Sequence, residues 1–88
     1  SNFLKIWPNP ISNNDHLNIH IDNMVTTDVQ LELFDIAGRQ VFKAAINPKL
    51  FPYKLNQQDF IELSDGLYYL VVSFDNNYRM RKLVKSSR

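Results

Sequence analysis

The sequence predicts an all-β fold: a two-sheet antiparallel β-sandwich of immunoglobulin-like topology with about seven strands. Three observations point there. Apolar residues recur with period two along most of the chain, and no window sustains an i, i+3, i+4, i+7 stripe. Clusters of Asn, Asp, Gly and Pro interrupt these runs at intervals of roughly ten residues, the spacing of turns in all-β domains. So many apolar strand faces need a second sheet to cover them.

Taken in order, Phe3 to Trp7 reads as a short first strand stopped by Pro8-Asn9-Pro10, since proline has no amide hydrogen for a ladder. Leu17, Ile19 and Ile21 alternate with Asn18, His20 and Asp22, and Val29, Leu31 and Leu33 alternate with Gln30 and Glu32, so each set turns its aliphatic side chains inward. Asp35-Ile36-Ala37-Gly38 fits a type I turn closed by a left-handed Gly38 in a G1 bulge, with a return strand from about Arg39 to Ile46. Pro48 and Pro52 make residues 47–58 a loop or a bent edge strand.

Leu67 to Phe74 is apolar or aromatic on both faces, as a central strand requires, with Tyr68, Leu70, Val72 and Phe74 assigned to the interior. Within Asp65-Gly66-Leu67-Tyr68, Tyr68 stands where a tyrosine corner bonds back to upstream backbone, and Leu70 stands where antibody domains carry their second cysteine. After the turn Asp75-Asn76-Asn77, the strand Tyr78 to Lys85 places Tyr78, Met80, Lys82 and Val84 on one face and Arg79, Arg81, Leu83 and Lys85 on the other.

The length of 88 residues suits a single domain, 1–88, from which Ser1-Asn2 is set aside as resembling a cloning scar. Hydrophobic residues make up 44% and charged residues 22%, so the chain has the composition of a folded domain rather than a disordered one. With no cysteine it carries no disulfide, thiol nucleophile or Cys-based zinc site. No apolar run is long enough for a membrane-spanning helix. The net charge of +1 argues against general nucleic-acid binding. That charge is unevenly placed: residues 1–78 carry −4, whereas residues 79–88 hold Arg79, Arg81, Lys82, Lys85 and Arg88 with no acid.

His16 and His20 lie too far apart along a strand to share a metal, and Asp15 with Asn13 and Asn14 reads as a turn rather than a calcium loop. No nucleophile elbow or phosphate-cradling loop is present, so neither an enzyme nor a cofactor is expected. Trp7, Phe42, Tyr53 and Tyr78 would suit a sugar-binding platform, but packing is the favoured account of each. The basic end has two readings. It is an edge strand guarded against aggregation by charge, or a docking strip, Arg81-Lys82-Leu83-Val84-Lys85, for an acidic partner. In the second, Lys82 and Lys85 are expected to be largely solvated.

Several blocks in order carry a specific resemblance: Ile6-Trp7-Pro8-Asn9-Pro10 with Leu17-Asn18-Ile19; Leu33 to Val41, including Asp35, Gly38 and Arg39; Leu63-Ser64-Asp65-Gly66-Leu67-Tyr68; and Arg81-Lys82-Leu83-Val84-Lys85. Together the chain resembles the C-terminal sorting domain of the type IX (Por) secretion system of Bacteroidetes. It departs in Trp7, where Tyr is usual, and in Ser86-Ser87-Arg88 beyond the near-terminal Lys. The resemblance implies a tail that directs an upstream cargo, held in cis, to an outer-membrane translocon. It also implies removal of the tail in many relatives by a sortase-like cysteine peptidase, with passage through the periplasm to the cell surface or medium. The competing reading is a passive β-sandwich accessory or carbohydrate-binding module of a secreted enzyme.

Overall fold

The computed structural model describes residues 4–22, 27–50, 52–56 and 62–87. Seven strands occur among them: β1 (Leu4–Trp7), β2 (Asn18–Ile21), β3 (Val29–Phe34), β4 (Gln40–Ile46), β5 (Tyr53–Lys54), β6 (Gly66–Phe74) and β7 (Asn77–Lys85). They form two antiparallel sheets, ordered β1-β2-β5 and β4-β3-β6-β7. The predicted sandwich is therefore the observed one. Its fourth strand lies on the outer edge of the second sheet beside β3, as the hairpin turn at Asp35–Gly38 required.

The alternation read from the sequence sets the core. Leu4, Ile19 and Ile21 from the first sheet meet Val29, Leu31, Leu33, Ile46, Leu70, Val72, Phe74 and Leu83 from the second, with Ile11, Leu17 and Leu55 filling the ends. Tyr68, Leu70, Val72 and Phe74 all point into this core, so the register assigned to the central strand is the one adopted. Burial of these aliphatic faces is what holds two sheets with no disulfide between them.

The turns follow their chemistry. Gly38 has φ of +83° and its amide bonds Asp35 O at 3.0 Å, which closes the loop between β3 and β4, and the register shifts by one residue at Leu33/Phe34. Asp75 and Asn76, at φ of 47° and 64°, form the two-residue loop between β6 and β7, where Asn and Asp tolerate left-handed backbone. Pro48–Leu50 is a single 3-10 turn, after which Tyr53–Lys54 pairs with β2, so the expected bent edge strand is present in part. Phe3, Phe51 and residues 57–58, included in the predicted spans, lie outside the described residues.

Val72 is fully buried and pairs with Leu31 and Arg79, while Ser73 faces the other side of the sheet. Val72→Ala should lower the unfolding free energy by about 2 kcal/mol through loss of packed methyl groups, and Ser73→Ala should stay within about 0.5 kcal/mol. Urea unfolding of the two variants measures this; a larger loss at Ser73 would reverse the facing.

Candidate functional site

The chain leaves the first sheet after Trp7, where the bonds before Pro8 and Pro10 are both cis. It then crosses to the second sheet and lies along the free edge of β7. Asn9 acts there as a one-residue strand: its Nδ2 donates to Lys82 O at 2.8 Å, and its Oδ1 accepts from Val84 N at 3.0 Å. Ile11 continues the pairing, with its amide on Val84 O at 2.8 Å and its carbonyl accepting from Ser86 N at 2.9 Å, in a parallel bridge to Lys85. A side-chain amide with one donor and one acceptor reproduces the hydrogen-bonding edge of a peptide, so Asn fits between two prolines that lack the amide hydrogen.

Next to this clasp lies the loop that leads into β6. Tyr68 Oη donates to Ser64 O at 2.6 Å, the expected tyrosine corner. Lys85 Nζ donates to Leu63 O at 2.8 Å, and Ser87 Oγ donates to Asp65 Oδ2 at 2.9 Å. Three side chains thus tie residues 63–65 to β6 and to the end of β7. Gly66, at φ of +144°, is where the chain enters β6.

The β3–β4 turn completes this end. Asp35 Oδ1 accepts from the amides of Ala37 and Arg39, each at 2.9 Å, and its Oδ2 accepts from Arg39 Nε at 2.9 Å. The Arg39 amide above all, then its guanidinium and the Ala37 amide, hold the Asp35 carboxyl below its usual pKa against the opposing pull of desolvation. The Arg39 side chain stays 81% exposed, with its guanidinium oriented by Asp35. Turn and corner face one another across a cleft of about 230 Å³ lined by Asp35, Arg39, Ser64, Asp65 and Tyr68. Desolvation first, then the Asp35 and Asp65 charges, push the Tyr68 phenol above its usual pKa, which keeps it a hydrogen-bond donor.

All four sequence blocks therefore gather at one end of the sandwich. Pro8, Asn9 and Pro10 supply the clasp, Asp35, Gly38 and Arg39 the turn, Gly66 and Tyr68 the corner, and residues 81–85 the strand they surround. The five residues of the basic strip do not share one face. Lys82 and Val84 are exposed on the outer face and Arg81 is half-buried; Leu83 belongs to the core, and Lys85 is only 2% exposed. The expectation that Lys85 is solvated is thus corrected, because strand alternation turns it inward with Leu83, where the Leu63 carbonyl receives its ammonium. Sequence reasoning missed the crossing of Ile11 to β7; the signal was Ile11 standing beyond Pro10, apolar and without a period-two neighbour.

The remaining candidates separate. Trp7 lies on the three-stranded sheet and Tyr78 on the four-stranded one, while Phe42 and Tyr53 pack against the core, so these four aromatics form no common platform. Asp15 closes a local turn through Ser12 N and Oγ at 2.8 and 2.9 Å. His16 Nδ1 lies 3.3 Å from Leu55 O, and no group of three His, Cys, Asp or Glu side chains capable of holding a metal occurs among the described residues.

An immunoglobulin-like sandwich without a disulfide, with its sequence blocks at one end, defines the class. The sequence matches the family described as the secretion system C-terminal sorting domain over residues 5–86, and the chain belongs to that family. It is a sorting-signal domain of type IX secretion, from a family that is not catalytic, and membership implies export to the cell surface or the extracellular space. No curated protein matches the sequence significantly. Among solved structures, dimeric latent PorU from Porphyromonas gingivalis aligns with a TM-score of 0.55 at 16% identity, over 97% of this chain and 9% of the PorU chain. At that identity the likeness concerns the fold, and this chain corresponds to a small part of PorU.

Two predictions follow from the geometry. Lys85→Glu should destabilise the domain by roughly 3 kcal/mol, since it buries an unpaired carboxylate against a carbonyl, whereas Lys85→Met should cost about 1 kcal/mol and Lys82→Glu less than that. Equal stability of the two Glu variants in urea would show that Lys85 is not the buried one. For Asp35, a folded-state pKa below the unfolded one stabilises the domain above the unfolded value of 3.8, and this is lost as pH falls through the folded pKa. Asp35→Asn should therefore flatten the decline in melting temperature below about pH 4, where the wild-type carboxylate protonates; identical acid profiles would contradict the assignment.

Proposed function

We propose that this domain directs an upstream cargo, carried on the same chain, across the outer membrane through the type IX translocon after transit of the periplasm. In this reading the domain is then removed by a sortase-like cysteine peptidase. The match of residues 5–86 to the sorting-domain family carries the proposal. The gathering of all four blocks at one end supports it, because a label read by a translocon works best as a preformed surface that loses little conformational freedom on docking. At that end Lys82 and Val84 present side chains to the partner, while Arg81 turns its guanidinium back onto the Met80 carbonyl. Leu83 and Lys85 hold the strand in place, and Asn9 with Ile11 fixes its edge.

A fluorescent reporter fused ahead of the domain and expressed in a bacterium with a type IX system tests this. The reporter should reach the cell surface or medium in the parent and stay in the periplasm of a strain lacking the translocon. Lys82→Glu should lower export while leaving stability within about 0.5 kcal/mol, since reversing an exposed charge acts on encounter rather than folding. Export independent of the translocon would overturn the proposal.

A further inference from the structure

The clasp and corner account for the polar groups at the motif end but leave one large surface unused. On the outer face of the four-stranded sheet, Phe34, Tyr69, Val71 and Met80 are neighbours: Phe34 pairs with Tyr69, and Val71 pairs with Met80. Ile36, at the tip of the β3–β4 turn, reaches the same place. Together they line an open groove of about 460 Å³ beside the motif end. Its rim is more exposed than a folded domain needs, with Ile36 at 76% and Met80 at 51% exposure and Tyr78 and Val84 adjoining along β7. Soluble domains rarely leave a contiguous apolar patch of this kind without a use for it, and Met, Phe, Tyr and Ile are residues that anchor protein interfaces.

The charges around the groove select the occupant. Asp35, which lines it, has its carboxylate engaged by Arg39 and the turn amides. Glu32 stands directly opposite Lys43 across the β3–β4 pair, so each offsets the other. Lys82 stands opposite Tyr69 at the groove, and no ion pair involves it among the described residues. Arg39, which follows Gly38 at the other border, is paired with Asp35 and adds no net charge there. The groove is therefore apolar at its centre and carries one unbalanced positive charge, that of Lys82, at its margin. A second copy of the same face would set this excess positive charge against itself.

We propose that this sheet face is the surface by which the domain docks on its export partner. The partner is a protein that places apolar side chains in the groove and a carboxylate opposite Lys82. The inference rests on the reading of the domain as a translocon-directed label, and it moves the centre of recognition from the edge of β7 to the middle of the sheet. Its apolar centre supplies affinity by desolvation, and the margin supplies register and rejects basic surfaces.

The test uses the reporter fusion described above. Ile36→Asp with Met80→Asp places charge on two exposed side chains, so the domain should melt as the wild type does, while export falls by at least about ten-fold, the loss expected from a charge left in the centre of an interface. Ala45→Asp, exposed on the same face at the far end of β4, should export normally. A photoreactive side chain installed at Ile36 in an otherwise unchanged fusion reads the contact directly. In exporting cells it should trap a translocon-associated protein through a peptide carrying Asp or Glu beside apolar residues.

Wild-type export by the double variant would overturn the inference while leaving the proposed function standing. A crosslink to a second copy, to the cargo, or to a peptide without an acid would do the same. Failure of the unmodified fusion to leave the cell by the type IX route would overturn the proposed function and the inference together. If the double variant proves misfolded, the crosslink alone decides.

Discussion

The outer edge of β7 is the constraint around which this domain is organised. β7 is a nine-residue strand paired on one side with β6, and an open edge of that length is a template for unwanted strand pairing. The end of that edge is closed by four hydrogen bonds from only two residues, Asn9 and Ile11. To reach it, the chain must abandon the first sheet after four residues of β1, and the prolines on either side of Asn9 prevent that strand from continuing. The crossing joins the beginning of the domain to its end and buries Ile11 completely between the sheets. Once β7 is held there, Lys85 and Ser87 can fasten the loop before β6, and that loop receives the hydroxyl of Tyr68.

Elements governed by local rules were legible in the sequence, and elements governed by long-range pairing were not. The alternation of Leu17, Ile19 and Ile21 and of Val29, Leu31 and Leu33 gave both faces of β2 and β3 correctly, because a period of two leaves only one choice once one side must be dry. The Asp35 turn and the Tyr68 corner were equally readable, since each is a contact within five residues. That turn also placed β4 beside β3, because a hairpin loop this short returns its strand antiparallel to the one before it; what no local signal showed was the crossing of Ile11 to β7. Nor did one show the fate of Lys85. Alternation put it on the side of Leu83, yet charge suggested solvent, and the carbonyl that accepts its ammonium belongs to Leu63, a residue 22 positions away.

The basic C-terminal cluster, uniform in sequence, divides in three dimensions into groups with different physical roles. Arg79 and Arg81 turn back on their own strand, each donating from a guanidinium to the preceding carbonyl, of Tyr78 at 2.8 Å and of Met80 at 3.0 Å. These arginines cover acceptors along the part of the edge that Asn9 does not reach, as edge protection requires. Lys85 is a structural ion, with its stem in the core and its head on a backbone carbonyl. Among the described residues of the cluster, Lys82 alone combines exposure with a position beside the apolar face. Edge protection and docking, set as alternatives for the whole cluster, thus call on different residues of one strand, and the docking reading rests on the proposal made for Lys82.

This division bears on how such a label is read. Asn9, Asp35, Tyr68 and Lys85 commit their polar groups to backbone partners within the domain, so little of the motif chemistry is left to contact another molecule. Their common effect is to fix the positions of β6, β7 and the Ile36 turn, and it is the side chains those elements turn outward that a partner can touch. A surface assembled this way loses little entropy on docking because its backbone is already determined. It also becomes available only when the C-terminal strand has paired and the clasp has closed, since Lys82, Val84 and Met80 all stand on β7. Recognition by that face would then admit a folded domain and pass over an incomplete one, with folding itself as the condition for export.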